Sequence, residues 1–213
     1  MMEVKNLTLS YGDRVLAKNI SFRVRSGECI LLAGPNGCGK STLLRALSAS
    51  NGVVFIPTGI PKVKGFTVDE FIRTGCYRES DWAGRLSEET GRRLESALDL
   101  LSLRSLRSQD ISTLSDGEFQ KACIAVGLAR RADILLLDEP TAFLDVGNRI
   151  SVLKTLRDIT RKTGMAVLFS SHDLHDSLRY VGRVLAFTPG GSFLESREDN
   201  REEVLRACFA EYL

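Results

Sequence analysis

Residues 29–42 read CILLAGPNGCGKST, and they contain the clearest structural signal in the chain. The apolar run Cys29 to Ala33 has the length and composition of a buried strand. The segment that follows has the pattern GxxxxGK followed by Ser or Thr, in which glycines let backbone N–H groups turn inward around phosphates. The start of the next helix adds roughly half a positive elementary charge. We therefore predict a phosphate-binding loop between a strand and a helix; the alternative is a chance glycine-rich turn.

The loop predicts specific contacts. Lys40 is expected to reach the β- and γ-phosphates of a nucleotide, and Ser41 to bind Mg²⁺. Cys38 is expected to be a small residue that fits the loop, although a second hypothesis is that the helix-end field lowers the pKa of its thiol. The other loop residues predicted to contact the nucleotide are Gly34, Asn36, Gly37, Gly39 and Thr42.

Composition limits the class of protein. A net charge of +2 over 213 residues is too small to predict binding to nucleic acid or an anionic membrane surface. No apolar run approaches the roughly 20 residues that span a bilayer, and the N-terminus lacks a signal-peptide layout. The five cysteines show no CxxC spacing and only two histidines occur, so we predict neither a disulfide framework nor a zinc site. We expect a soluble cytoplasmic protein.

The order of predicted elements indicates an α/β fold with a mixed, mostly parallel sheet. Strand and helix patterns alternate, with an antiparallel β portion at the N-terminus and a final helix predicted at 201–212. Residues 66–130 look helical and are expected to form a subdomain inserted into the sheet. We thus predict one domain over 1–213, with a nucleotide-binding core of 1–65 and 131–213.

Residues 134–139 read ILLLDE, an apolar strand that ends in two acids. A buried strand beside the phosphate loop would bring Asp138 to the hydration shell of Mg²⁺. Glu139, one residue later, is placed to polarise the attacking water. The alternative is an ordinary strand end with solvated acids.

Three segments resemble motifs of the ABC (ATP-binding cassette) ATPases, a branch of the P-loop NTPases. Residues 114–120, LSDGEFQ, are similar to the signature LSGGQ and its LSxGE variants. Residues 138–145, DEPTAFLD, resemble the Walker B motif with its D-loop, and residues 170–173, SSHD, resemble the switch-histidine segment. The order and approximate spacing also match, and the resemblance covers essentially the whole chain.

The resemblance implies a head-to-tail dimer in which each ATP lies between the phosphate loop of one subunit and the signature of the other. Ser115, Gly117 and Glu118 are then nucleotide contacts, and the free N–H groups of a helix that opens at Ser115 also suit an anion. The alternative is that Ser115 and Glu118 only form a capping box. His172 is implied to contact the γ-phosphate and orient the water, and Tyr11 to stack on adenine.

The sequence departs from the family pattern in two places. The family usually has a Mg²⁺-contacting glutamine where this chain has Thr58, and only residues 48–52 separate the phosphate-loop helix from the following strand, which runs up to Thr58. We therefore predict a shortened β portion and a threonine that reaches less far toward a metal-bound water. Asp116 lies within the signature, at the start of the predicted helix. Its carboxylate interacts favourably with the helix dipole, but it repels a γ-phosphate if it points inward. The predicted metal ligands are Ser41, Asp138 and Thr58, and the predicted catalytic residues are Glu139, His172 and Lys40.

The combination of TVDEFI at 67–72, WAGRL at 82–86, LSDGE at 114–118 and TAFLD at 141–145 is similar to importer ATPases for iron–siderophore, haem and cobalamin. The resemblance implies a homodimer on the cytoplasmic face of the membrane, two transmembrane permease subunits, a substrate-binding protein upstream and no nucleic acid. The surface that faces the permease is expected near Thr58 and Phe66. Two alternatives stay open: a non-hydrolysing regulatory cassette, and a soluble ABC ATPase that is not linked to transport.

Overall fold

A computed structural model describes residues 1–79, 81–82, 85–196 and 200–209. The predicted alternation of strands and helices is confirmed, and the predicted final helix is observed as far as Phe209, its remainder lying outside the described residues. Of the segment 82–86, Ala83 and Gly84 also lie outside them. The elements, in chain order, are β1 (Met2–Tyr11), β2 (Arg14–Val24), β3 (Cys29–Ala33), α1 (Lys40–Leu47), β4 (Val53–Ile56), α2 (Val68–Arg73), α3 (Glu88–Leu100), α4 (Asp116–Ala129), β5 (Ile134–Leu137), α5 (Val146–Thr163), β6 (Ala166–Ser170), α6 (Leu174–Ser177), β7 (Arg183–Phe187), β8 (Phe193–Glu195) and α7 (Arg201–Phe209).

Two sheets form in the described part of the chain. The central sheet has the strand order β4-β5-β6-β3-β7-β8, and β1 pairs with β2 in a separate antiparallel sheet. Neighbouring strands of the central sheet are parallel, except that β8 returns antiparallel to β7. The prediction of a mixed, mostly parallel sheet with an N-terminal antiparallel portion is confirmed.

The core lies on both faces of the central sheet. In β3, Leu31 and Ala33 pack into one buried cluster together with the helices α2 to α5, whereas Ile30 and Leu32 pack into a second cluster with α1 and the β1–β2 sheet. Strands that are buried on both faces need apolar residues at every position, not at alternate ones. This requirement explains why β3 and β5 are continuous apolar runs in the sequence.

The helices of the segment 66–130 begin at the capping residues that the sequence indicates. Thr67 accepts a hydrogen bond from the N–H of Glu70, whose side chain returns to the N–H of Thr67, and Ser87 caps α3 in a similar way. A cap of this kind contributes about 1 kcal/mol to helix stability. The buried faces of α2 and α3 then pack against α4.

The parallel strands bring their carboxyl ends to one edge of the sheet. The loops after β3, β5 and β6 begin at Gly34, Asp138 and Ser171, so the phosphate loop and the predicted catalytic residues meet at this edge. Ligands of open α/β sheets bind at the carboxyl ends of the strands for the same reason. Among the described residues, no helix is both long enough and apolar enough to span a membrane.

Candidate active site

The phosphate loop connects the carboxyl end of β3 to the first turn of α1. Gly39, which precedes the helix, has a φ of 112° and provides no side-chain cap. The Nζ atom of Lys40 donates hydrogen bonds to the carbonyl oxygens of Gly34 at 2.9 Å and Pro35 at 3.1 Å, and the residue is only 7% exposed. The loop therefore holds a buried ammonium group next to an uncapped helix start, both of which attract anions.

A serine that the sequence analysis did not select joins the two acids after β5. The hydroxyl of Ser170 donates to Oδ1 of Asp138 at 2.8 Å and accepts from the N–H of Glu139 at 2.9 Å. β5 and β6 are parallel neighbours in which Leu137 pairs with Phe169, so the residues that follow each of these lie side by side. Only this register identifies Ser170 as a partner of the two acids, and the sequence alone does not show it.

Glu139 and His172 lie against each other. The Nε2 atom of His172 is 3.1 Å from Oε1 of Glu139, and the backbone N–H of His172 donates to Oε2 at 3.1 Å. Oε1 is buried, and among the described residues it accepts no hydrogen bond of normal geometry although the imidazole lies close to it. Burial raises the pKa of Glu139, although the charges of His172 and Lys40 oppose that shift.

A cavity of about 520 Å³ collects most of the predicted site residues. Tyr11, which is 71% exposed, borders it on the side of the β1–β2 sheet. Arg14 and Leu16 also border it, and the sequence analysis missed both because only the β1–β2 turn brings them there. The remaining lining residues are Asn36, Gly37, Gly39, Lys40, Ser41, Thr42, Thr58, Asp138, Glu139 and His172.

Two of the phosphate-loop residues predicted to contact the nucleotide, Gly34 and Cys38, do not border this cavity. Gly34 packs against the loop itself, since a Cβ at that position would lie 2.9 Å from the Sγ atom of Cys38. Burial raises the pKa of the Cys38 thiol, and this effect outweighs the opposing charge of Lys40. The hypothesis that the helix end lowers the pKa of this thiol is therefore wrong, because desolvation is the larger effect.

The oxygen atoms around this cavity fit a magnesium ion. Ser41, Asp138 and Thr58 border the same cavity, and hydroxyl and carboxylate oxygens are the ligands that Mg²⁺ prefers. No group of three or more His, Cys, Asp or Glu side chains with metal-binding geometry occurs among the described residues. That finding is compatible with Mg²⁺, which takes only one or two carboxylates and keeps several waters. Thr58 also donates a hydrogen bond of 2.5 Å to the carbonyl oxygen of Asp138.

The signature residues lie outside the cavity, at the start of α4. Ser115 and Glu118 form a reciprocal capping box: the hydroxyl of Ser115 accepts from the N–H of Glu118 at 3.3 Å, and Oε2 of Glu118 accepts from the N–H of Ser115 at 2.8 Å. Asp116 pairs with Lys62, whose Nζ atom is 2.7 Å away. A Cβ on Gly117 would approach Oδ1 of Asn148 to 2.5 Å, so a larger residue at this position in α4 would have to displace the Asn148 side chain.

These features define the class of protein. A glycine-rich loop between β3 and α1, with a buried lysine and with two acids at the end of β5, is the phosphate site of a P-loop NTPase. The family model described as ABC transporter matches residues 17–54 and 49–142, which is more than half of the chain. The chain belongs to the ABC transporter family and is an ATP-binding subunit. The two matched segments overlap at residues 49–54, next to the short connection of residues 48–52 between α1 and β4.

Curated relatives support this assignment over most of their length. The petrobactin import ATP-binding protein FpuD of Bacillus anthracis is 31% identical over 98% of this chain and 86% of that protein. The hemin import ATP-binding protein HmuV of Shewanella denitrificans is 34% identical over 89% of this chain and 85% of that protein. A solved ABC transporter of metal-chelate type, in an inward-facing conformation, superposes with a TM-score of 0.86 at 26% identity, covering 98% of this chain and 88% of that one.

Proposed function

We propose that the protein is a Mg²⁺-dependent ATPase that powers an importer, with a metal chelate such as an iron–siderophore, haem or cobalamin as the cargo. The observation that carries the hydrolytic part is the buried Oε1 atom of Glu139, which accepts no hydrogen bond and faces His172 beside the phosphate loop. When the imidazole of His172 turns to the γ-phosphate, this oxygen can accept a hydrogen bond from a water molecule, which polarises the water for attack on the γ-phosphorus.

The roles of the residues follow from their positions around the cavity. Tyr11 stacks on the adenine, Lys40 leaves the carbonyl groups of its own loop for the β- and γ-phosphates, and His172 contacts the γ-phosphate while Glu139 orients the water. The oxygen of the water forms a bond to the γ-phosphorus as the bond to the β,γ-bridging oxygen breaks, giving ADP and phosphate. Positioning and electrostatic stabilisation supply most of the catalysis in reactions of this kind.

Mg²⁺ fits the oxygens of Ser41, Asp138 and Thr58, where it would neutralise charge that develops on the phosphates. Thr58 differs from the usual glutamine by a shorter reach, and its hydroxyl already donates to the backbone of Asp138. We infer that Thr58 acts on the metal through a water molecule. A direct contact is not required, because Mg²⁺ retains part of its hydration shell in most protein sites.

A second copy of the chain completes the site. The signature residues Ser115, Gly117 and Glu118 do not border the cavity that holds the phosphate loop of the same chain. An adjoining cavity of about 1110 Å³ opens beside His172 and Phe143, and Phe143 is 89% exposed although it is aromatic. An open site edge with an exposed aromatic side chain supports a head-to-tail homodimer, in which the signature of each copy faces the nucleotide of the other.

The assignment to an importer rests on the relatives and on one exposed surface. FpuD and HmuV are named for the import of petrobactin and hemin, which are both metal chelates. Val63 and Phe66 are 50% and 42% exposed on the linker that follows Thr58, which supports this linker as the contact for transmembrane permease subunits. The chain would then act on the cytoplasmic face of the membrane, with two permease subunits and a substrate-binding protein upstream.

The first experiment measures Mg²⁺-dependent phosphate release from ATP by the purified chain, and follows its mass by light scattering. We expect turnover by the wild type, and no turnover but an ATP-dependent dimer for Glu139→Gln. Glu203→Gln is the matched control, because it makes the same change on an exposed helix. Binding of ATP without turnover by the wild type, both alone and with permease subunits in vesicles, would show a regulatory cassette and refute the proposed enzyme.

The cargo needs its own assay. Vesicles that contain the permease subunits and the ATPase would be loaded with ATP and offered a ferric siderophore, haem or cobalamin together with the binding protein. ATP-dependent uptake of one of these chelates, absent with Glu139→Gln, is the expected result. If none of the three is taken up while ATP is hydrolysed, the cargo assignment is wrong and the ATPase assignment stands.

A further inference from the structure

A lysine connects the linker after β4 to the start of the signature helix. The Nζ atom of Lys62 donates a hydrogen bond to the carbonyl oxygen of Leu114 at 2.7 Å and another to Oδ1 of Asp116 at 2.7 Å. The same atom lies 5.7 Å from the centroid of the Phe119 ring. The side chain of Lys62 is 26% exposed and that of Asp116 is 66% exposed. Three different contacts therefore fix the ammonium group at the first turn of α4.

The other end of the same linker is attached to the nucleotide site. Thr58, four residues before Lys62, donates its 2.5 Å hydrogen bond to the backbone of Asp138. Thr58 borders the nucleotide cavity, whereas Lys62 does not. A short segment thus joins the metal side of one nucleotide site to the signature helix, which faces the other nucleotide in the proposed homodimer.

The start of α4 has both free donors and excess negative charge. The capping box uses the N–H groups of Ser115 and Glu118, and within the described residues the N–H groups of Asp116 and Gly117 have no hydrogen-bond acceptor. These two donors suit an anion. The carboxylates of Asp116 and Glu118 stabilise the helix but repel a phosphate that approaches the same turn. The ammonium group of Lys62 offsets one of these two charges.

We propose that Lys62 is a positioning residue that holds and neutralises Asp116, so that the start of α4 can accept the terminal phosphate of the nucleotide bound to a second copy of this chain. The proposal rests on the proposed homodimer. It also accounts for an acidic residue in a signature that faces phosphate: the acid strengthens the helix start, and the lysine removes the repulsion. Without Lys62, the carboxylate of Asp116 is free to rotate toward the phosphate.

The test is a double-mutant cycle in a hydrolysis-deficient parent, Glu139→Gln. The three variants are Lys62→Met, Asp116→Asn and the double variant, and light scattering gives the ATP concentration for half-maximal dimerisation of each. We expect Lys62→Met to raise this concentration about three- to tenfold, the size of one charge–charge interaction at short range in water. In the Asp116→Asn background the same change should have an effect of less than about twofold. Raised salt should shrink the effect of Lys62→Met.

Two controls separate positioning from simple loss of structure. Lys64→Met removes the same charge from the same linker at an exposed position, and should leave dimerisation within about twofold of the parent. The affinity of the monomer for a fluorescent ATP analogue should be equal in Lys62→Met and the parent, since Lys62 does not border the nucleotide cavity. Thermal unfolding reports any general destabilisation.

The outcomes are distinct. Lys62→Met could weaken dimerisation equally in the parent and in the Asp116→Asn background. The lysine would then not act through Asp116, which overturns the proposal while the homodimer stands. If Lys62→Met dimerises like the parent, the pair is only a surface ion pair and the proposal is again overturned. If the parent itself remains monomeric at saturating ATP, the homodimer is wrong and this proposal fails with it.

Discussion

Replacing Ser170 with alanine tests whether its hydroxyl holds the two acids of the site in place. The residue is fully buried at the end of β6, and its hydroxyl bridges Oδ1 of Asp138 and the N–H of Glu139 at 2.8 and 2.9 Å. Glu139 has a backbone φ of 49°, in the left-handed region that residues other than glycine rarely adopt. The hydrogen bond from its N–H to Ser170 is one of the contacts that hold this backbone conformation.

The expected loss follows from the two bonds. A buried group that loses its partner costs about 1–3 kcal/mol, and a hydrogen bond to a charged group contributes about 1.5–3 kcal/mol. Asp138 is 7% exposed, so water replaces the lost donor only in part. We therefore expect Ser170→Ala to lower the free energy of unfolding by about 2–4 kcal/mol, and to slow ATP hydrolysis because Glu139 loses its fixed orientation.

Urea unfolding at neutral pH gives the stability, and phosphate release gives the rate. Ser171→Ala is the matched control: this neighbouring hydroxyl is also buried, but among the described residues it bonds only to the N–H and carbonyl group of Asp173, at 3.1 and 3.3 Å, within one turn. We expect the control Ser171→Ala to lower the free energy of unfolding by about 1 kcal/mol. A loss below about 1 kcal/mol for Ser170→Ala, or a loss equal to that of the control, would refute the reasoning.

Three further changes have expected outcomes that urea unfolding measures. Gly117→Ala should lower stability by about 1 kcal/mol, because overpacking against Asn148 exceeds the gain of about 1 kcal/mol from alanine in a helix; a net gain would contradict the observed contact. Thr58→Val should lower the free energy of unfolding by about 1 kcal/mol, because the hydrogen bond to the carbonyl oxygen of Asp138 is lost. Thr58→Ser keeps the hydroxyl and should lower it less. Equal losses for the two variants would exclude the hydroxyl as the cause. Burial raises the pKa of Glu139 in the folded protein above its value in the unfolded chain. Above the folded pKa, the buried, ionised carboxylate therefore lowers the free energy of unfolding. This penalty decreases as the pH falls from the folded pKa to the unfolded pKa, and it is absent at lower pH. Glu139→Gln should accordingly be more stable than the wild type at neutral pH, with an advantage that shrinks in acid; an advantage that grows in acid would show the opposite sign.

The sequence predicted the phosphate loop and its neighbours because the chemistry of these residues lies in consecutive positions. The loop that ends in Gly39 and Lys40 begins directly after a strand that is apolar at every position, and Asp138 and Glu139 directly follow another such strand. A continuous apolar run predicts a strand buried on both faces, and parallel strands bring their carboxyl ends together. The capping box at Ser115 is likewise contained within four residues, so local spacing was sufficient to predict it.

Contacts between distant residues needed the tertiary structure. Ser170 lies 32 residues from Asp138, and Lys62 lies 54 residues from Asp116. Neither pair has a sequence pattern of its own, because the strand order and the course of the linker bring the partners together. The pKa of Cys38 shows the same limit: its position at a helix start suggested a lowered value, but burial, which depends on the packing of the whole domain, raises it.

The sequence alone therefore determined the family and the sheet type, and it predicted most of the residues that line the candidate nucleotide cavity, since these depend on local spacing and on the periodicity of apolar residues. Only the tertiary structure decided which groups support the site. It identified Ser170 as the residue that holds the two acids, and it showed that Asp116 is paired with Lys62. The physical reason is that hydrogen bonds and desolvation act between groups that are close in space, and distance along the chain does not specify that closeness.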